Sequence, residues 1–270
     1  MYKLVALDMD GTLLNSEKQI TQRNKQAIAQ ARALGVTVIL ASGRPLAGMQ
    51  EKLQELELTT DKDFVVSSNG SYVHRVSDLG MVHSQIVTGK DAKKVAQLAR
   101  ELGVNMHAFS IKHGLITPKH NQYTQHESDI NGITAQEFDF SQLEDEDEIV
   151  KAMFADSPEK LDVITPLLGS NLYNEYTIVR SASIFLEFLH KQSNKGVGVA
   201  AVAKHLGIDS SEVISMGDAE NDHHMIEYSG LGVAMGNATE QTKALADYIT
   251  ATHDESGVAQ VIEKFILNTK

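Results

Sequence analysis

The chain has 270 residues, a formal net charge of −12 and no cysteine. That acidity argues against nucleic acid as a partner, and the absent thiols exclude disulfides and cysteine-ligated zinc. Apolar residues make up 42% of the sequence, enough for one large domain or two ordinary ones.

In chain order, the apolar run Leu4-Val5-Ala6-Leu7 reads as a short buried strand that ends in Asp8-Met9-Asp10-Gly11-Thr12. Residues two apart in extended backbone project to one face, so Asp8 and Asp10 point at one small volume. Paired carboxylates are costly unless a cation separates them or one holds a proton, and hard oxygens at a strand mouth suit Mg²⁺. Residues 15–34 carry the first helix, with Thr21 as N-cap and Gly35 as stop. Residues 36–41 form a buried strand that runs into Ser42-Gly43-Arg44-Pro45, and 46–58 a helix opened by Pro45. Residues 64–68 are a third strand, ending in Asn69-Gly70. Apolar strands alternating with helices predict a parallel sheet covered on both faces.

The texture changes near His83. Residues 91–102 are an amphipathic helix; 106–116 and 123–133 read as antiparallel strands and connections. The acidic run Glu144–Glu148 reads as a solvated loop or helix start. A strand at 151–155, a helix at 158–168 and a hairpin at 176–180 with 184–189 complete an α+β insert. Within it, Tyr123, His126 and Glu187 are candidate substrate contacts; Glu187 interrupts an apolar strand, and a buried carboxylate needs a partner.

The opening texture returns at Asn194. A helix at 195–206 stops at Gly207, and a strand at 212–216 ends in Gly217-Asp218-Ala219-Glu220-Asn221-Asp222. A short helix at 223–228, a strand at 231–235, a helical turn at 243–246, a strand at 248–249 and a helix at 258–267 follow. Gly196 and Gly198 fit a dinucleotide fingerprint but read as glycines for close helix packing; His223 and His224 read as surface or capping residues.

Four polar clusters thus stand where a strand has just ended: Asp8/Asp10, Ser42-Gly43-Arg44, Asn69-Gly70 and Asp218/Asn221/Asp222. Strand ends of an open parallel sheet share one edge, where ligands bind. Lys195 opens a helix within reach of that edge. Carboxylates, a lysine, a hydroxyl and Gly43, whose backbone N–H a ligand can approach closely, suit phosphoryl transfer.

The motifs Asp8–Leu14, Ser42–Pro45, Ser68–Gly70, Asn194–Gly196 and Gly217–Asp222, in this order, resemble a haloacid dehalogenase superfamily phosphatase. The subfamily is the Cof type with a C2 cap, and the chain is most similar to YidA-like sugar phosphatases. The resemblance implies a doubly wound, mostly parallel α/β core from residues 1–83 and 190–270, with an inserted α+β cap at 84–189 that sets specificity. It implies Asp8 as nucleophile and Asp10 as general acid and base. Ser42, Gly43, Lys195 and Asn221 would bind phosphate. Asp8, Asp10 through its backbone carbonyl, Asp218 and Asp222 would hold or support Mg²⁺. Asn69 is read as an active-site loop residue, and Arg44 either touches substrate or makes a structural salt bridge. The implied reaction is hydrolysis of a small phosphate monoester, a sugar phosphate foremost, through an aspartyl phosphate. A phosphomutase and an idle regulatory binder are the alternatives. The sequence shows no leader and no membrane-length apolar stretch, so a cytoplasmic protein with no membrane partner, monomer or homodimer, is expected.

Overall fold

The computed structural model describes residues 1–268. It divides into two compact units, Met1–Ser84 with Asn194–Lys270, and Gln85–Ser193. The second boundary falls later than the sequence texture placed it. The ends of the insert are tied within their own unit: Ser193 Oγ donates to the Gln85 carbonyl at 3.0 Å, and the Gln85 and Gln192 amides meet at 3.0 Å.

The first unit begins with β1 (Leu4–Leu7), α1 (Gln22–Ala33), β2 (Thr37–Ala41), α2 (Gln50–Glu55), β3 (Phe64–Ser67), β4 (Tyr72–Arg75) and β5 (Met81–Ser84). Thr21 caps α1 by accepting the Asn24 N–H, as its sequence position predicts. The helix therefore starts at Gln22, and residues 15–20 form a loop where the sequence reading ran helix from residue 15. Before α2 the chain makes a 3₁₀ turn, Leu46–Met49, with Pro45 just outside it.

In the insert come β6 (Val87–Thr88), α3 (Gly89–Leu102), β7 (Met106–Ser110), β8 (Gly114–Thr117), α4 (Gln122–Asn131), β9 (Ala135–Glu137), β10 (Glu148–Ala155), α5 (Pro158–Ile164), α6 (Ser170–Glu175), β11 (Tyr176–Ala182) and β12 (Phe185–His190). The first unit resumes with α7 (Lys195–Leu206), β13 (Val213–Gly217), α8 (His223–Tyr228), β14 (Leu231–Ala234), α9 (Glu240–Leu245), β15 (Tyr248–Ile249) and α10 (Gly257–Ile262).

The first unit's sheet runs β15-β14-β13-β1-β2-β3-β4-β5. Every pair from β15 to β3 is parallel, and β4 and β5 add an antiparallel edge that the sequence reading did not contain. Without that edge hairpin, the order is that of a doubly wound dinucleotide-type sheet, whose crevice opens where the strand order reverses, here between β1 and β13. Alternate residues of one strand face opposite layers. Val5 and Leu7 pack in the cluster holding Ala27 and Ile28 of α1 and Val258 of α10. Leu4 and Ala6 pack with Val199 and Val202 of α7 and Met225 of α8.

The second unit is a sheet ordered β11-β12-β10-β7-β8-β9, with β6 beside β10. One face carries the apolar core: Ala108, Ala152, Phe154, Leu186 and Phe188 against Ala92, Val95 and Ala99 of α3 and Leu161 of α5. The residues that alternate with these, His107, Phe109, Lys151, Phe185 and Glu187, take the opposite side. There α4 meets them through Thr124 and Glu127. The structure corrects the extended reading of 123–133. Asn121 caps α4 by accepting the Tyr123 and Thr124 N–H groups, and Gly132 ends it in the left-handed conformation. Its buried side, Thr124, Glu127, Ser128 and Asn131, has helical spacing but polar residues, so an apolar periodicity search misses it. Among the described residues no helix is long and apolar enough to cross a membrane.

Lys151 is fully buried in this unit. Its Nζ donates to Glu187 Oε1 at 2.6 Å and lies 3.8 Å from Glu127. Burial raises the Glu127 carboxyl above the usual range, and Lys151 only partly opposes this. Removing one partner of a buried ion pair typically costs about 3–5 kcal/mol, so Lys151→Met should destabilise the protein on that scale in denaturant melts. A carboxyl raised in the folded state stabilises below its unfolded pKa and loses that contribution as pH rises through its folded value. Glu127→Gln should therefore gain melting temperature relative to wild type between pH 5 and pH 8.

Candidate active site

The register of the parallel ladder places the polar clusters. Leu7 pairs with Met216 on one side and Leu40 on the other, so the chain ends at Asp8, Ala41-Ser42 and Gly217-Asp218 lie side by side. The Asp8 N–H donates to the Met216 carbonyl at 3.1 Å, which fixes its backbone. Lys195 is the first residue of α7, which Asn194 caps by accepting the Val197 N–H. The helix lies close to its neighbours because Gly196 and Gly198 have no side chains. A Cβ at Gly196 would stand 2.5 Å from the His224 carbonyl oxygen, and one at Gly198 2.4 Å from Val66 Cγ1.

Lys195 is entirely buried and bridges two carboxylates, 2.5 Å from Asp8 Oδ1 and 2.5 Å from Asp222 Oδ1. The other Asp222 oxygen accepts the N–H groups of Asp218 (2.9 Å) and Ala219 (3.0 Å). Asp222 thus fixes both the lysine and the turn that presents Asp218. Thr12 Oγ1 donates to Asp218 Oδ1 at 2.9 Å. Gly11, at φ +86°, brings its backbone so near Asp218 that a Cβ would stand 2.4 Å from Oδ2. Ligand oxygens of Asp8, Asp218 and Asp222 all lie within 4.8 Å of one another.

One ammonium does not neutralise this cluster. Burial, with Lys195 opposing and Asp222 and Asp218 adding to it, raises Asp8 well above the usual carboxylate range. Burial and then Asp222 push Asp218 up to about 6. A cluster of hard oxygens short of positive charge fits a divalent cation. Asp8 and Asp218 have oxygens to offer; both oxygens of Asp222 are already engaged, so its part is to hold the others.

Asp10 points elsewhere. Arg44 Nε donates to its Oδ2 and Nη2 to its Oδ1, each at 2.8 Å, and Lys18 Nζ donates to Oδ1 at 2.9 Å. Burial alone would raise this carboxyl, but Arg44 and Lys18 together hold it below its ordinary value. Of the two roles open for Arg44, the structure forms the salt bridge. Ser42 is buried, and its Oγ accepts the Arg44 N–H at 3.2 Å. The Asn69 side chain faces Gly43, where a Cβ would stand 3.1 Å from Nδ2, and accepts Asn221 Nδ2 at 3.0 Å. Asn221 therefore contacts Asn69. Ser68, Asn69 and Gly70 are all left-handed, at φ 50°, 53° and 88°. The Asn69 N–H donates to the Ser42 carbonyl and the Ser68 N–H to the Arg44 carbonyl, each at 2.9 Å, and this bonding sustains two non-glycine residues in a costly conformation.

The haloacid dehalogenase-like hydrolase family model matches residues 5–262. The chain belongs to this family. It is 38% identical over 98% of its length, and 99% of the relative's, to the candidate phosphatase M6_Spy0533 of Streptococcus pyogenes. It is 32% identical to the Bacillus subtilis 5-amino-6-(5-phospho-D-ribitylamino)uracil phosphatase YcsE, over 98% and 96% of the two chains. Among solved structures, the subclass IIB sugar phosphatase BT4131 superposes with a TM-score of 0.83 at 26% identity, covering 97% of this chain and 98% of that one.

Three groups of this haloacid dehalogenase-like hydrolase escaped the sequence reading. Thr12 sits inside the first motif, and its place just after the Gly11 turn was the available signal. Lys18 and Asn237, whose Nδ2 donates to the Gly11 carbonyl at 2.8 Å, carried none. His223 Nε2 meets Thr242 Oγ1 at 2.9 Å and serves the fold. In the second unit, Glu187 Oε1 is taken up by Lys151 and, at 2.8 Å, by Ser181 Oγ. His126 tilts against Phe185, with ring centroids 6.2 Å apart. Tyr123 is in the first turn of α4.

The raised carboxyls give a pH signature. Their contribution to folding is present at low pH and lost as pH rises through their folded values, about 6 for Asp218. A divalent cation bound among them would take the place of the protons. Mg²⁺ at about 100 times its dissociation constant should raise the melting temperature on the order of 5 °C at pH 7.5 and far less at pH 5, read by thermal shift.

Proposed function

We propose that this hydrolase is an Mg²⁺-dependent phosphatase of small phosphate monoesters, sugar phosphates foremost. The observation that carries the reading is the bridging Lys195: it binds one oxygen of Asp8, whose carboxylate lies near that of Asp218, and is itself fixed by Asp222. That is the arrangement of an oriented carboxylate nucleophile.

Asp8 attacks phosphorus, an Asp8–phosphoryl bond forms, and the bond to the substrate's ester oxygen breaks. Asp10 delivers a proton to that leaving oxygen. Asp10 then takes a proton from water as the water oxygen bonds to phosphorus, and Asp8 is released with inorganic phosphate. Lys195, the Ser42 hydroxyl and the backbone at Gly43 hold the phosphoryl oxygens, with Asn221 and Asn69 bracing the loop beside them. Asp8, Asp218 and the Asp10 carbonyl would hold Mg²⁺, which would supply charge neutralisation for the phosphoryl oxygens. The second unit acts as the specificity-setting cap. The names of BT4131 and of the ribitylaminouracil phosphatase both describe phosphate carried on a sugar or sugar-derived chain, and this supports the substrate class.

Phosphate release from a panel of sugar phosphates with Mg²⁺ tests the reading. Asp8→Asn should cut kcat by at least about 10³-fold while circular dichroism stays native. A variant that keeps turnover would remove Asp8 as the nucleophile.

A further inference from the structure

The Asp10 carboxylate is held by more donors than a salt bridge needs. A carboxylate offers about four lone-pair directions. Arg44 Nη2 and Lys18 Nζ both donate to Oδ1, and Arg44 Nε donates to Oδ2. One direction, on Oδ2, is left.

Lys18 reaches this position from the tight loop between Leu14 and Ile20. Its φ is +59°, a conformation that non-glycine residues rarely adopt. The Asn15 side chain accepts the Glu17 and Gln19 N–H groups at 3.0 and 2.9 Å, and the Asn15 carbonyl accepts the Lys18 N–H at 2.9 Å. The loop is then anchored across the chain. Ser16 donates its N–H to Asp254 Oδ1 at 2.8 Å and its hydroxyl to Asp254 Oδ2 at 2.7 Å, and the same hydroxyl lies 3.2 Å from His253 Nε2. Asn237 joins both sides, donating to the Gly11 carbonyl at 2.8 Å and accepting the His253 N–H at 3.0 Å. The buried residues Leu14 and Ile20 bridge to each other and anchor the two ends of the loop, while these polar contacts set its exposed tip, where Lys18 stands.

We propose that Lys18 is a positioning residue for proton transfer. Together with Arg44 it leaves Asp10 a single atom, Oδ2, at which to give or take a proton, and the Ser16–Asp254 latch sets the lysine in place. The inference rests on Asp10 acting as general acid in the proposed hydrolysis. There the proton leaves Oδ2 for the ester oxygen as the phosphorus–oxygen bond breaks, and returns to Oδ2 from water in the second half.

The test compares two substrates through kcat/KM, which covers the steps up to release of the alcohol. A sugar phosphate needs a proton on its leaving oxygen; p-nitrophenyl phosphate does not. Lys18→Met should lower kcat/KM for the sugar phosphate by about tenfold or more and leave p-nitrophenyl phosphate within about twofold. Lys18→Arg should recover most of the difference, and Asp254→Ala should show the same selective loss in weaker form. Equal losses on both substrates, or none with Lys18→Met, would overturn the positioning role; an Asp254→Ala enzyme identical to wild type would overturn the latch. A wild-type protein that hydrolyses neither substrate with Mg²⁺ would instead refute the phosphatase reading beneath it.

Discussion

The contact on which the core depends is the buried ammonium of Lys195 between Asp8 and Asp222. An acidic triad inside a protein repels itself, and one lysine answers only part of that charge. The surrounding architecture follows from bringing this cation to the strand ends. The α7 helix must start at the sheet edge, so Asn194 caps it there. It must lie close to α8 and β3, so Gly196 and Gly198 carry no side chains. Gly70 must pass the Asn194 backbone, where a Cβ would stand 2.0 Å from its carbonyl oxygen. Residual repulsion between Asp8 and Asp218 is what a cation bound there would relieve.

Much of the first unit was legible because its strands are uniformly apolar and its helices carry explicit start and stop residues. Thr21, Gly35, Asn194 and Gly207 each do in space what their chemistry suggests in sequence. Legibility failed where burial is polar. The α4 helix buries Thr124, Glu127, Ser128 and Asn131, and β4 mixes His74 and Arg75 with Tyr72 and Val73; neither shows an apolar period. The loop at 15–20 failed differently. Its shape comes from Asn15 bonding its own backbone and from Asp254, contacts that periodicity does not encode.

At the site, the polar residues at strand ends marked the segments that meet, and the parallel register explains why distant motifs come together. What the sequence left open was pairing. For Arg44 the sequence left substrate contact and a salt bridge both open, and only the structure shows its fork closed on Asp10. Glu187 drew notice as a charge in an apolar strand. Its partner, Lys151, lies on the adjacent strand 36 positions away, a relation invisible without the register.

The Asp8–Lys195 contact joins residues 187 positions apart, with the whole insert between them. On the ribosome, β1 through β5 emerge long before β13, so one edge of β1 stays unpaired in the nascent chain while the insert is translated. The insert, whose strands pair among themselves, is free to fold in that interval. Translation order thus keeps Asp8 apart from Lys195, Asp218 and Asp222 until the insert has been made, and a truncated product lacking the final third of the message has none of those three partners.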